Sequence, residues 1–175
     1  MFSKAMILPT GDEIKEGIVL DTDSPMIMQN IIRLNPLCQI SRRAPINDIE
    51  AQIADAVSQA SAEAFDLVVI IGGSGGGHRY SATLGKDFTH SALDTLLEPK
   101  FSGEIYGKNG HMWCKLLCGR LRDTLVINLP GPFREAQAAM EAFACAYVQD
   151  PFDLKEINRV MLEAVTKQYP ITAMQ

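Results

Sequence analysis

The adjacent carboxylates Asp12 and Glu13 follow a short apolar segment, Ala5 to Leu8, within the polar stretch Pro9-Thr10-Gly11-Asp12-Glu13. Carboxylates in such a loop can hold a hard cation, or accept hydrogen bonds from a polar ligand, through oxygen. A second chemical stretch begins where Leu67 to Ile71 runs without a polar break into Gly72-Gly73-Ser74-Gly75-Gly76-Gly77, followed by His78-Arg79. Glycines let a backbone come close to a ligand and adopt positive φ, so successive amide N–H groups can converge on an anion such as phosphate. Arg79 adds a planar guanidinium suited to bidentate phosphate contact, although a surface arginine is equally ordinary. The glycine spacing fits neither the dinucleotide fingerprint nor the P-loop, and no Gly-Lys-Ser/Thr follows. In a third stretch, Asn128-Leu129-Pro130-Gly131-Pro132, a glycine turn opens onto an alanine-rich helical run from Phe133 to Val148, and the positive end of such a helix favours anions.

These groups need strands to carry them. Leu67 to Ile71 is too short for a helix and is ended by glycine, which predicts a central strand buried on both faces, as in a parallel sheet. Ala5 to Leu8, Leu37 to Ser41 and Thr124 to Leu129 predict further strands. Ser24 as N-cap with Pro25 at the first helical position predicts a helix with Met26, Ile27, Asn30, Ile31 and Leu34 on its apolar stripe, stopping at Asn35-Pro36. Asn47 with Glu50 predicts the cap of a helix bearing Ile49, Ile53, Ala56, Val57 and Ala60. Thr89 is expected to cap a helix running through Leu97, and Asp153 with Glu156 to cap a last one over 153–167. Gly103, Gly107, Gly110 and Gly119 punctuate Lys100 to Leu121, which predicts short strands and turns there. Alternation of strands and helices implies one α/β domain over 1–175, a three-layer sandwich with a mostly parallel central sheet. The loops at Thr10 to Glu13, Gly72 to Arg79 and Pro130 to Phe133 then fall at strand carboxyl ends, the ligand edge of such sheets.

Composition narrows the partners. A net charge of −5, from 16 basic and 21 acidic residues, argues against a nucleic-acid or anionic-membrane surface. No apolar run approaches a membrane span and the first residues lack a signal peptide's apolar core, so the expected location is cytoplasmic. The four cysteines, Cys38, Cys114, Cys118 and Cys145, read as reduced thiols. His111, Cys114 and Cys118 match no common zinc pattern and lack a fourth ligand, while His78, His90 and His111 have no Ser or Cys partner at a triad spacing.

Four pieces occur in a telling order: Thr10-Gly11-Asp12-Glu13; Gly17-Ile18-Val19 with Asp21 and Asp23; Asp66-Leu67-Val68 leading to Gly72-Gly73-Ser74-Gly75; and Asn128-Leu129-Pro130-Gly131. Over about residues 4–148 the chain resembles the molybdopterin-binding domain shared by the molybdopterin adenylyltransferases and molybdenum insertases of molybdenum-cofactor synthesis. The resemblance implies binding of molybdopterin, or its adenylylated form, with Thr10, Gly11, Glu13, Gly72, Gly73, Ser74, Gly75, Gly76, Arg79, Pro130 and Gly131 as contacts. It also implies Mg²⁺ on Asp12 and Glu13, ATP as nucleotide in the transferase reading, and a homo-oligomer, dimer or trimer. Other cofactor-synthesis proteins or a molybdoenzyme are the implied protein partners. An acidic position of the family falls at Asn47 or Asp48, which makes Asp12 and Asp48 the candidate catalytic carboxylates. Lys108, within Gly107-Lys108-Asn109-Gly110, resembles a ligand-facing lysine-glycine segment of the insertases.

The chain also departs from that pattern. Adenylyltransferase relatives usually carry an aspartate where this chain has His78-Arg79-Tyr80, and Asp87 is the carboxylate that could stand in. Pro132 follows Gly131 directly, where the family commonly has one residue between. The Thr-Gly-Asp-Glu piece is closer to the insertases and to the competence-damage-inducible proteins. The expected activity is therefore Mg-dependent adenylyl transfer or metal handling, with two alternatives: a non-catalytic carrier or sensor of molybdopterin, and a nucleotide pyrophosphatase. Asp21 and Asp23, just ahead of a helix, read equally as capping groups and as ligand contacts.

Overall fold

The computed structural model describes residues 2–75 and 87–170. In chain order its elements are β1 (Lys4–Pro9), α1 (Asp12–Lys15), α2 (Asp23–Leu34), β2 (Gln39–Arg42), α3 (Glu50–Ala62) and β3 (Leu67–Ile71). They continue with α4 (Thr89–Leu96), β4 (Lys100–Tyr106), β5 (Met112–Leu121), β6 (Thr124–Leu129), α5 (Phe133–Gln149) and α6 (Leu154–Thr166). The strands form one sheet in the order β2-β1-β3-β6-β5-β4. The first four run parallel, and β5 and β4 extend the sheet as an antiparallel pair.

β3 lies at the centre because all five of its side chains are apolar and can be buried on either face. Leu67, Val69 and Ile71 belong to the core with Ile27 and Ile31 of α2, Met140 and Phe143 of α5, and Ile157 and Met161 of α6. Val68 and Ile70 belong to a second core with Ile53 and Val57 of α3 and Ala92 and Leu93 of α4. The period-two alternation of a strand thus feeds two helical layers, giving the three-layer α/β sandwich.

Residues 100–121 form two long antiparallel strands, not short strands and turns. Two of the glycines there serve packing: a Cβ at Gly103 would stand 2.5 Å from Leu162 Cδ2, and one at Gly119 would stand 2.8 Å from the Pro99 carbonyl oxygen. Those glycines let α6 and the chain after α4 lie close against the strands, and only Gly107 and Gly110 belong to the connecting turn.

Local caps differ at three helices. Thr22 is the N-cap of α2, and Asp21 accepts from the Ser24 amide (2.9 Å) and hydroxyl (2.6 Å), so Ser24 and Pro25 lie inside the first turn. The N-cap of α3 is Ile49; Asn47 instead accepts from Lys15 and donates to Asp12 Oδ1 at 2.6 Å. Thr89 is the first residue of α4 rather than its cap, because its buried hydroxyl pairs with Thr10 Oγ1 at 3.2 Å. At α6 the expected cap forms, with Asp153 Oδ1 accepting from the Glu156 amide at 2.9 Å.

Candidate functional site

Pro9, Ile71 and Leu129 are register partners across the adjacent strands β1, β3 and β6, so the three loops that follow them leave the sheet at one level. Backbone hydrogen bonds stitch the loops together at their roots. The Thr10 amide donates to the Ile71 carbonyl (2.8 Å), the Gly72 amide to the Leu129 carbonyl (3.0 Å) and the Gly11 amide to the Ile46 carbonyl (3.0 Å). Thr10 Oγ1 also donates to the Ile71 carbonyl at 3.0 Å.

Glycine is required at two points of this junction. Gly72 has φ +93°, and a Cβ there would lie 2.6 Å from the Thr10 carbonyl oxygen. Gly73 has φ +62°, and its Cβ would overlap the Thr89 hydroxyl and lie 3.0 Å from Asp48 Oδ1. The loop at Gly72 and Gly73 therefore lies against Thr10, α4 and Asp48 with no room for a side chain. Its next residue, Ser74, is buried and its carbonyl accepts from the Lys115 amide at 2.7 Å, which ties the loop to β5. β5 is itself held by Asn128, a fully buried amide on β6 whose Oδ1 accepts from the Leu117 amide (2.6 Å) and whose Nδ2 donates to the Lys115 carbonyl (3.0 Å).

The loops enclose a cavity of about 1100 Å³. Thr10, Gly11, Asp12, Glu13, Asp48, Gly72, Gly73, Ser74, Gly75, Pro130 and Gly131 all line it. Asp12 and Glu13 reach it from the first turn of α1, a one-turn helix where a loop was expected. Lys108 is exposed in the β4–β5 turn and is not part of the lining. Gly76 and Arg79, with His78 and Tyr80, lie outside the described residues. α5 opens at the cavity edge with no side-chain cap; the Glu135 and Ala136 amides both donate to the Pro132 carbonyl (3.0 Å), and the amides of Phe133 and Arg134 before them have no acceptor within the helix.

The acidic groups are crowded. Burial raises the Asp48 carboxyl to about 6, with Asp87, Asp12 and Glu13 adding to the rise against a hydrogen bond from the Phe88 amide (3.1 Å). Asp23, 5% exposed and also in the lining, is raised to about 6 by burial and by Asp21. Asp21 is also penalised by burial, yet its bonds with Ser24 and a 2.7 Å ion pair with Arg42 bring it below its ordinary value. Among the described residues no group of three His, Cys, Asp or Glu side chains gathers closely enough to hold a metal ion alone. Clustered carboxylate oxygens have the donor chemistry of a Mg²⁺ site, since Mg²⁺ takes one or two carboxylates and completes its shell with water and ligand phosphate.

Thiol chemistry is disfavoured in this setting. Burial pushes Cys114 up to about 12 although Ser74 hydrogen-bonds it, and burial does the same to Cys118. All four cysteines are free.

Sequence reasoning missed Trp113, Glu135 and Tyr169, which line the same cavity. Glu135 carried a usable signal, being in the first turn of the helix opened by Pro130-Gly131-Pro132. Trp113 was obscured by the reading of its strand as turns, and Tyr169, beyond α6, carried no local signal.

The family described as "Probable molybdopterin binding domain" matches residues 6–150. None of the curated proteins matches the chain. Among solved structures, the molybdopterin biosynthesis enzyme MoaB from Thermus thermophilus is 21% identical with a TM-score of 0.57, over 98% of this chain and 94% of that one. MogA is 19% identical with a TM-score of 0.60, over 90% and 99%. The protein CinA from Thermoplasma acidophilum, described as of unknown function, is 22% identical with a TM-score of 0.58, over 85% and 97%. At these identities the structures attest the fold, while the match over 6–150 attests descent: this chain belongs to the molybdopterin-binding domain family of molybdenum-cofactor biosynthesis.

Proposed function

We propose that this chain binds molybdopterin or its adenylylated form and catalyses Mg²⁺-dependent adenylyl transfer or handling of the activated cofactor. The observation that carries the reading is the single cavity in which the glycine loop, the Pro130–Gly131 turn and the Asp12–Glu13 carboxylates share one lining. In this reading the amides of Gly73–Gly75 and of the α5 start hold phosphate, since close backbone approach and a positive helix end both favour an anion. Asp12 and Glu13 would hold Mg²⁺, which would offset phosphate charge when bound. Asp48, packed against Gly73, contributes a carboxylate that is ionised above about pH 6 and attracts the same cation. Transfer joins a phosphate oxygen of molybdopterin to the α-phosphorus of ATP with loss of pyrophosphate; the chain's part is to align the two phosphates and exclude water. A homo-oligomer, dimer or trimer, belongs to the same proposal and is tested by sedimentation.

The test is to incubate the purified protein with molybdopterin, Mg²⁺ and ATP, following pterin retention and adenylylated product, with Asp12→Asn alongside. Adenylylated product from the wild type, lost in the variant, is the expected result. Retention without product would replace the transferase with a carrier or sensor. Failure to retain molybdopterin would overturn the proposal.

A further inference from the structure

Three side chains of the cavity lining are not among those given to phosphate or cation. Trp113 of β5, Glu135 in the first turn of α5 and Tyr169 beyond α6 come together there from three separate places in the chain. The Tyr169 and Trp113 rings meet with centroids 4.9 Å apart at 51°. The Tyr169 hydroxyl donates to Glu135 Oε2 at 2.8 Å. The indole is seated on the β4–β5 turn, since a Cβ at Gly107 would stand 2.5 Å from its Cε2 and Cζ2. Burial raises the Glu135 carboxyl, and among the described residues it is the Tyr169 hydroxyl that draws it back.

A half-buried carboxylate with one neutral donor has accepting capacity left over, and at a cavity wall a ligand can use it. Two parallel N–H donors satisfy a carboxylate best, and beside aromatic rings those donors are best carried by a flat ring. We infer that Glu135, held by Tyr169 and flanked by Trp113, is the subsite for the flat end of the ligand, a nitrogen heterocycle presenting a ring N–H beside an exocyclic amino group. The pyrimidinone half of a pterin has that edge. Adenine offers its amino group beside an unprotonated ring nitrogen, which a carboxylate repels. The inference rests on the proposed function and adds to it the groups that read the ring, of which Trp113 and Tyr169 come from parts of the chain other than the loops that hold phosphate.

Trp113 is the only tryptophan, so its fluorescence reports on this subsite directly. The experiment titrates unsubstituted pterin, which has no phosphate, and separately ATP and molybdopterin, into the full chain and into Glu135→Gln and Tyr169→Phe. Gln keeps an oxygen for Tyr169, and an unchanged melting temperature checks that the fold is intact. Pterin alone should quench Trp113 in the wild type, and Glu135→Gln should weaken pterin and molybdopterin binding by about tenfold or more while ATP binding is unchanged. Tyr169→Phe, which frees the carboxyl but keeps the ring, should weaken pterin less than Glu135→Gln does. Molybdopterin binding with equal affinity in wild type and Glu135→Gln would overturn this inference and leave the proposed function standing. Quenching by ATP but not by pterin would likewise overturn it. Absence of molybdopterin binding in the wild type would remove the proposed function, and this subsite with it.

Discussion

Substituting Gly72 by alanine tests the loop geometry on which the site depends. Two costs are expected and can be separated. The first is backbone: at φ +93° an L-residue is disfavoured by roughly 1–2 kcal/mol. The second is steric: the new Cβ would lie 2.6 Å from the Thr10 carbonyl oxygen, a backbone atom that no rotamer change can move. Forcing a methyl into a filled space typically costs about 1–3 kcal/mol, so the total should be about 3 kcal/mol. Gly17 and Gly110 provide the control, since both have φ +74° and a Cβ added at either would meet nothing within 4 Å. Alanine at either should cost only the backbone part, about 1 kcal/mol. For a chain of this size each kcal/mol moves Tm by about 2–4 °C, so Gly72→Ala should fall by about 6–12 °C and the controls by about 2–4 °C. Thermal melts followed by circular dichroism, with urea titrations for ΔG, would measure both. Equal losses for Gly72→Ala and Gly110→Ala would refute the claim that the loop after β1 and the glycine loop are in contact at Thr10. Molybdopterin retention should also drop in Gly72→Ala, because any relief of the contact moves the loop amides away from β1.

Asp48→Asn should stabilise the fold in a pH-dependent way. A carboxyl raised to about 6 from an ordinary value of 3.8 keeps its proton in the folded state while the unfolded chain has lost it, so wild-type stability falls as pH rises through that window. The gap in Tm between variant and wild type should be small at pH 4 and full above pH 6; a gap that is flat across the range would refute the assignment. Asn128→Leu leaves the Leu117 amide and Lys115 carbonyl unpaired in the core, at about 1–3 kcal/mol each, so urea unfolding should show a loss of several kcal/mol. Mg²⁺ should raise the wild-type Tm above pH 6 and do so less in Asp12→Asn, by calorimetry; no Mg²⁺ effect at any pH would remove the metal from the proposed function.

How far these features could be read from residue order depended on whether their causes were local. β3 was legible because five buried apolar positions followed by glycine have few other solutions, and α6 because Asp153, Glu156 and an apolar stripe agree with one another. Asn47 misled because a capping signal three residues before a glutamate competes with partners far away in sequence; Asp12 and Lys15 claimed its amide, and Ile49 became the cap. Gly103 and Gly119 misled for a related reason: a glycine needed for close packing under Leu162, or over Pro99, has the same letter as one needed for a turn. The loop residues of the site were found because each sits at the end of a readable strand. Tyr169 could not be found this way, since only the packing of α6 against α5 and β4 brings it beside Glu135.

The location of the cavity follows from the order of the strands. After β1 the chain crosses to α2 in the layer with α5 and α6, and β2 then pairs on one side of β1. After β3 it enters α4 in the opposite layer before the hairpin and β6, and β6 pairs on the other side of β3. Neighbouring parallel strands whose connections depart to opposite faces leave a crevice between their carboxyl ends, which is where open α/β sheets bind ligands. Here that crevice separates Thr10–Glu13 from Gly72–Gly75, one side rich in carboxylate and the other in glycine amides. The two sides make opposite demands on a ligand, and a phosphate carrying a divalent cation satisfies both at once. The antiparallel hairpin, tied to the glycine loop through Lys115 and Ser74, then extends the crevice to Trp113, where the requirement changes from charge to a flat ring.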